Sequence, residues 1–307
     1  METTSISLNR LVGDLDRLFS IHDWDQDPAM TRWVPRVYQD IGYDYAKTFE
    51  GDFCQRFNGL MLRSADVVQE VYCAAFPSPQ ILNKLLTAAK GNALLFVHHP
   101  IDMEVSGVGF LPISPDDLER LQTQGVSIYA CHAPMDCHDE IGTNASIVKA
   151  FGVEVEQSFV PYGRGFAGRI GTIDATNLDE LVARGKEIFG TGRVEIGGAN
   201  PTLITRVAIV AGGGDDPDDF EEAERLGAQA FITGEWYTRT VPRDEEGRQW
   251  AGTNRAACQA YAARSQMALL GFSHAATEHL VMKSQMVDYF GRKGAQVVCL
   301  EPSDWWR

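Results

Sequence analysis

The stretch Leu94-Leu95-Phe96-Val97-His98-His99-Pro100 sets a short apolar run directly against two imidazoles and a proline. The run reads as a strand too apolar to be exposed, and the proline, lacking an N–H, cannot continue its ladder. Working outward, Val67 to Phe76 is a second apolar run, Ser78 to Ala89 and Ser114 to Gln122 have helical periods, and Val126 to Cys131 is apolar again. Short apolar runs alternating with helical periods predict an α/β layer architecture. A second block repeats the alternation: strand Arg206 to Ala211, helix Pro217 to Leu226, strand Ala228 to Thr233, helix Arg255 to Arg264, strand Met267 to Phe272, helix Thr277 to Phe290. The expected organisation is therefore an N-terminal extension over residues 1-50, a first α/β lobe over 51-150 and a second over 151-307.

Between these blocks, Asn144 to Phe151 predicts a short helix ending at Gly152, Val153 to Ile173 extended pieces broken by glycines, and Leu178 to Phe189 a helix. The extension opens with Leu8, Leu11, Val12, Leu15, Leu18 and Phe19 at helical spacing, as expected of a docked amphipathic helix. Trp236 to Asn254 is long, polar and rich in both arginine and acids, which predicts a loop that is a lid, a partner contact or a disordered segment.

The 307 residues carry 42 acidic against 27 basic side chains, a net charge of -15. That field repels phosphate polymers and anionic membranes, so neither a nucleic-acid nor a membrane partner is expected. The longest apolar runs are far too short to span a bilayer, and Met1 to Arg10 has no basic-then-apolar signal, which places the protein in the cytoplasm. Six cysteines without a CxxC pair argue against a disulfide framework or thiolate zinc cluster.

Six of the seven histidines fall in three short segments, each just past the end of an apolar run: His98 and His99, His132 and His138, His274 and His279. Open α/β sheets present ligand-binding groups at that end of their strands. At a strand end the backbone turns, so His98 and His99 could both reach neighbouring metals; the alternative is one core histidine beside one exposed one. In the segment Cys131 to Glu140, a carboxylate able to bridge two cations could be Asp136, Asp139 or Glu140, while His138 to Glu140 could equally be a solvated turn. In the third segment Ser273 is a plausible N-cap, and His274 and Glu278, four residues apart, share a helical face. His279 points elsewhere on that helix. Imidazole and carboxylate without thiolate suit zinc, iron, manganese or cobalt rather than calcium, and the ligands exceed what one tetrahedral ion needs. The expected cofactor is two divalent metal ions per chain. The expected chemistry is hydrolysis of a phosphoester, amide or amidine-like centre in a small-molecule substrate, with His132 as proton shuttle or supporting partner.

Two other patterns carry less. Gly163 to Gly168 satisfies G-x-G-x-x-G, but extended chain follows it instead of a helix, which removes the dinucleotide reading. Ala211-Gly212-Gly213-Gly214 ends a strand before a helix, yet six carboxylates from Asp215 to Glu222 would repel phosphate there, so a tight turn and cap is expected.

Taken in order, His98-His99-Pro100, His132-x-x-x-Asp136 leading to Gly142-Thr143-Asn144, Thr233-Gly234-Glu235 and His274-x-x-Thr277-Glu278 resemble the dinuclear-metal-centre hexameric family. These are NGG-interacting-factor-like proteins, some labelled GTP cyclohydrolase type 2 homologues. The resemblance runs from about Asn58 onward. It implies a fold of two related α/β lobes with a metal-binding cleft between them, a homohexameric ring, and metal ligands at His98, His99, Asp136, His274 and Glu278. It also implies a GTP cyclohydrolase-like hydrolase, or alternatively a non-catalytic metal-binding ring that engages a protein partner. The chain departs from the family in having Ser273 where glycine is usual, Ile101-Asp102 after the proline, and Trp236-Tyr237-Thr238 after Glu235. It also lacks the usual tryptophan-aspartate-asparagine approach to Asn58.

Overall fold

A computed structural model describes residues 5–104, 108–239 and 241–305. They form two compact units, each built from distant parts of the chain. Among the described residues, one unit gathers 5–104, 110–135 and 282–304, and the other 108–109, 136–281 and 305.

The first unit is organised by a five-stranded sheet in the order Gln296–Cys299, Glu70–Ala74, Ala93–Val97, Val126–Ala130, Gly59–Leu62. The first four strands are parallel and the last is antiparallel. Every residue of Ala93–Val97 and of Val126–Ala130 is buried, as expected of parallel strands covered on both faces. The connecting helices start where sequence signals stand. Ser78 accepts a hydrogen bond from the Ile81 N–H with Pro79 at the first helical position, and Ser114 does the same for Asp117 with Pro115 following. The N-terminal helix Leu8–Leu18 buries Leu8, Leu11 and Leu15, and Phe19 lies 6.4 Å from the ring of Phe96. The extension is thus part of this unit's core.

The second unit has a six-stranded sheet in the order Glu154–Tyr162, Gly165–Thr176, Ile204–Gly213, Ala230–Glu235, Ala268–Gly271, Glu195–Gly198. Its three central members from Ile204–Gly213 to Ala268–Gly271 run parallel, and the outer strands are antiparallel. Alternate residues supply two cores. Val207, Ile209, Ala230, Ile232, Ala268 and Leu270 pack with helices Thr143–Phe151 and Leu178–Phe189 on one face. Ala208, Val210, Phe231 and Leu269 pack with Phe220 and Tyr261 on the other. That alternation is the two-residue period of the strand expressed twice.

Three strands carry no clear sequence signal: Gly59–Leu62, Glu195–Gly198 and Gln296–Cys299 are short and lie at sheet edges. The extended reading of 153–173 is a hairpin, with Gly163 at φ +58° in its turn, and the G-x-G-x-x-G pattern opens no helix. The loop expected from Trp236 to Asn254 is in part a helix, Glu245–Ala262. Asp244 caps it through the Gly247 N–H at 2.8 Å, and Glu245 and Glu246 complement its dipole. Only Gly247, Ala251, Cys258 and Tyr261 are buried along its length, so it has no apolar stripe from which to recognise it. Among the described residues no helix is long and apolar enough to cross a membrane, and none of the six cysteines forms a disulfide.

Gly185, inside helix Leu178–Phe189, tests how tightly the second unit is packed. A Cβ there would stand 2.3 Å from the Phe272 ring. Helix propensity alone favours alanine over glycine by about 1 kcal/mol. Overpacking outweighs it, so Gly185→Ala is expected to destabilise by about 1–3 kcal/mol in denaturant unfolding. A stabilised variant would show that helix and sheet are not in this contact.

Candidate metal centre

In the first unit, strand Ala93–Val97 delivers His98 and His99, whose backbone N–H groups still bond to Ala74 and Ala75 of the neighbouring chain segment at 3.3 and 3.0 Å. Both side chains are buried, His98 at 0% and His99 at 2% exposure, which removes the alternative of one core and one exposed histidine. Their rings stand 4.7 Å apart and nearly perpendicular. The adjacent parallel strand Val126–Ala130 brings His132 to the same place, its ring 4.9 Å from His98 and 4.6 Å from His99. Each of the three offers a ring nitrogen, and these lie within 4.8 Å of one another. His98 Nδ1 donates to the Cys131 carbonyl at 2.8 Å, since a carbonyl can only accept. In the neutral ring the lone pair is therefore on Nε2.

Behind His132 stands Asp27, fully buried. Its carboxylate accepts from the backbone N–H of Ala29 and Met30 at 3.0 and 2.8 Å, from Asn58 Nδ2 at 3.0 Å, from the Ala133 N–H at 3.0 Å and from His132 Nδ1 at 3.0 Å. Burial by itself would raise the carboxyl's pKa, but His132 and the N–H donors outweigh it and hold Asp27 well below the usual carboxylate range. Asn58 also accepts from the His132 N–H at 2.7 Å, so its amide ties this backbone to Asp27.

In the second unit, His274 opens helix His274–Val281 just after strand Ala268–Gly271, and Glu278 lies one turn on. Glu278 Oε1 is 3.1 Å from His274 Nε2, and Glu235 Oε1, at the end of strand Ala230–Glu235, is 3.2 Å from His274 Nδ1. Desolvation disfavours the imidazolium, yet Glu278 and Glu235 together hold the His274 pKa well above its ordinary value. Asp215 is close enough to feel Glu235. Burial first, and then that charge, push its carboxyl up to about 6, while the Thr238 hydroxyl donates to it. Two buried carboxylates around one imidazole, with half-buried Asp215 beside them, leave an excess of negative charge, and a carboxylate group of this kind is stabilised by a cation.

The local chain is shaped around these groups. Gly212, at φ +69°, belongs to strand Ile204–Gly213, and a Cβ on it would lie 2.1 Å from Glu278 Oε1 and 2.8 Å from His274 Nε2. The glycine run backs the His274–Glu278 pair, while Asp216 caps helix Pro217–Arg225 as the tight-turn reading expects. Ser273 does cap, accepting from the Ala276 N–H at 3.2 Å, but does so at φ +96°. Thr277 Oγ1 accepts from the Gly212 N–H at 3.0 Å. Asp136, ending the short helix Ala133–Asp136, accepts from Thr143 Oγ1 at 2.7 Å, and Asn144 Nδ2 donates to its carbonyl at 3.2 Å.

The other candidates separate from these groups. His138 accepts from the Glu140 and Ile141 N–H groups, each at 3.1 Å, and Asp139 pairs with Arg169 at 2.9 Å with its side chain 85% exposed, so this stretch is the solvated turn. His279 is buried against the ring of Trp305, 5.2 Å away. His22 is exposed beside Asp16. Two buried acids escaped the sequence reading as site residues. Glu235 had a usable signal, a carboxylate at a strand end next to a strand leading to His274. Asp27 had none, because 105 positions separate it from His132.

The donor set fits a divalent transition cation: imidazoles, of which His98 and His132 bond a carbonyl and a carboxylate through Nδ1, and carboxylates held by hydroxyl or amide donors. Comparison with known proteins agrees with the pattern of residues. The family model for Duf34/NIF3 (NGG1p interacting factor 3) matches residues 53–249. A Yersinia pestis protein described as a GTP cyclohydrolase 1 type 2 homolog is 28% identical over 187 residues, 60% of this chain and 71% of its own length. Its namesake in Pyrococcus horikoshii is 32% identical over 181 residues, 58% of this chain and 69% of its own. Among solved structures, TTHA1606 from Thermus thermophilus is similar with a TM-score of 0.61 at 21% identity, covering 96% of this chain and 98% of its own. Staphylococcus aureus protein SA1388 gives a TM-score of 0.62 at 14% identity, covering 98% and 99%. At such identities the structures speak for the fold alone, but the family match spans more than half of the sequence, and the chain belongs to the Duf34/NIF3 (NGG1p interacting factor 3) family.

Proposed function

We propose that the chain holds two divalent metal ions through His98, His99, Asp136, His274 and Glu278, and hydrolyses a nucleotide or phosphoester-like small molecule in the cytoplasm. The observation that carries this reading is the burial of His98, His99 and His132 with ring nitrogens within 4.8 Å of one another. Burying several imidazole nitrogens together costs desolvation free energy that apolar side chains would avoid, and ligation of a cation recovers it. The excess of buried carboxylate around His274 supports the same conclusion, as does the description of the Yersinia pestis and Pyrococcus horikoshii relatives as GTP cyclohydrolase 1 type 2 homologs.

Bound divalent cations supply Lewis acidity, acidifying water and stabilising negative charge that develops on a substrate oxygen. The chain's own residues do the rest. Thr143 orients the Asp136 carboxylate, Glu235 orients His274 through Nδ1, and the Cys131 carbonyl sets the His98 tautomer. His132, packed against His98 and His99 and not itself in the proposed ligand set, carries a proton to or from the reacting oxygen. A non-catalytic metal-binding ring is the other reading, favoured by the partly exposed Trp250 on helix Glu245–Ala262, where a protein partner would dock.

Metal analysis by plasma mass spectrometry, on protein purified without an affinity-metal step, is expected to find close to two ions per wild-type chain and a clear loss in His98→Ala. No metal in either would end the metal reading. Asp136→Ala is expected to lose most of its metal while keeping its fold by circular dichroism, and wild-type metal content would reject Asp136 as a ligand. A hexameric ring of 33.9 kDa chains would scatter light as a particle of about 200 kDa. A monomer at micromolar concentration would remove the ring.

A further inference from the structure

Asp27 lies outside the residues matched by the family model, in the segment read from sequence as an N-terminal extension. Yet its carboxylate reaches the side chain of His132. Its two oxygens divide their work. Oδ1 receives the Ala29 and Met30 N–H groups that begin helix Met30–Asp40, and Oδ2 receives Asn58 and the Ala133 N–H. His132 Nδ1 sits across both, at 3.0 and 3.1 Å. Capping the helix would need only the first oxygen, and an asparagine could do it without burying a charge. A full carboxylate, buried and facing an imidazole, is the arrangement that fixes which ring nitrogen carries the proton.

We propose that Asp27 is a positioning residue for the centre. Its carboxylate accepts the Nδ1 proton of His132, locks the ring's tautomer and orientation, and leaves Nε2 as the basic nitrogen of the His98–His99–His132 group. The N-terminal segment is then a working part of the site. Its contribution rests on the reading of His132 as the proton carrier. No bond is made or broken by Asp27 itself: the Nδ1 proton stays on the ring. The same carboxylate anchors the helix start and Ala133, so the ring is referenced to three parts of the chain at once.

The test reads the imidazole directly and needs no substrate. In the ¹⁵N-labelled full chain, two-bond proton–nitrogen correlations are recorded on the alkaline side of the histidine range, with His132→Gln identifying the ring's signals. His132 is expected as the Nδ1–H tautomer, with Nε2 at the shift of an unprotonated nitrogen. A ring found as Nε2–H overturns the proposal. In Asp27→Asn the two nitrogen shifts are expected to average or exchange as the lock is lost, and a folded variant that keeps the wild-type tautomer also overturns it. Should Asp27→Asn fail to fold, the wild-type tautomer alone decides. If wild-type protein carries no metal, the metal-dependent reading falls while the imidazole result stands on its own.

Discussion

Parallel pairing of Ala93–Val97 with Val126–Ala130 is the constraint on which the histidine group depends. Residues in register, Val97 against Ala130, bring the two strand ends level, so that the side chains just beyond one strand meet those just beyond the other. The pairing is sustained by apolar side chains on both faces, with Phe96 in ring contact with Tyr129 at 5.7 Å and Phe290 at 5.4 Å. A one-residue slip of either strand would turn that strand's side chains to the opposite face and put its histidine end out of step with the other's. The histidine cluster is therefore a consequence of core packing a few ångströms away.

The second unit solves a related problem with charge. Its parallel strands also end in polar groups, but these are carboxylates, with Glu235 and Glu278 buried around His274 and Asp215 half-buried beside them. Such a group is held in place by backbone sacrifice nearby. Gly212 forgoes a side chain so that Glu278 and His274 can approach the strand. Ser273 accepts a left-handed backbone, which costs a non-glycine residue roughly 1–2 kcal/mol. Its hydroxyl cap offsets about 1 kcal/mol of that. Strain kept at a polar strand-to-helix corner is what a site under functional constraint would retain.

The two units thus meet one physical demand in different ways. In one, three imidazoles are gathered, His98 bonded to a carbonyl and His132 to a carboxylate. In the other, an imidazole is gripped between two carboxylates. Both leave nitrogen and oxygen donors at the ends of parallel strands, where the backbone is rigid and the side chains beyond it can be aimed.

Much of this was legible in sequence wherever a local rule operates. The runs before His98, His132 and His274 announced buried strands because apolar content alone dictates burial. Ser78-Pro79 and Ser114-Pro115 announced helix starts because a cap and a fixed φ act on their own neighbours. His274 and Glu278 announced a shared face because four residues make a helical turn. Other features depended on partners far along the chain. Nothing local marks Gln296–Cys299 as the strand that pairs with Glu70–Ala74, because an edge strand of one exposed and three half-buried residues has no strong period. Helix Glu245–Ala262 was hidden because it buries too little to show a stripe. Asp27 was hidden most completely. An aspartate in a polar stretch looks like any solvated turn residue, and only the tertiary fold, by bringing Ala29, Met30, Asn58, His132 and Ala133 around it, turns that carboxylate into a buried charge with every oxygen engaged. Sequence by itself determined which side chains could ligate and which strands would carry them, since those follow from residue chemistry and short-range periodicity; tertiary structure decided which donors meet and in what protonation, since that is set by hydrogen bonds between residues a hundred positions apart.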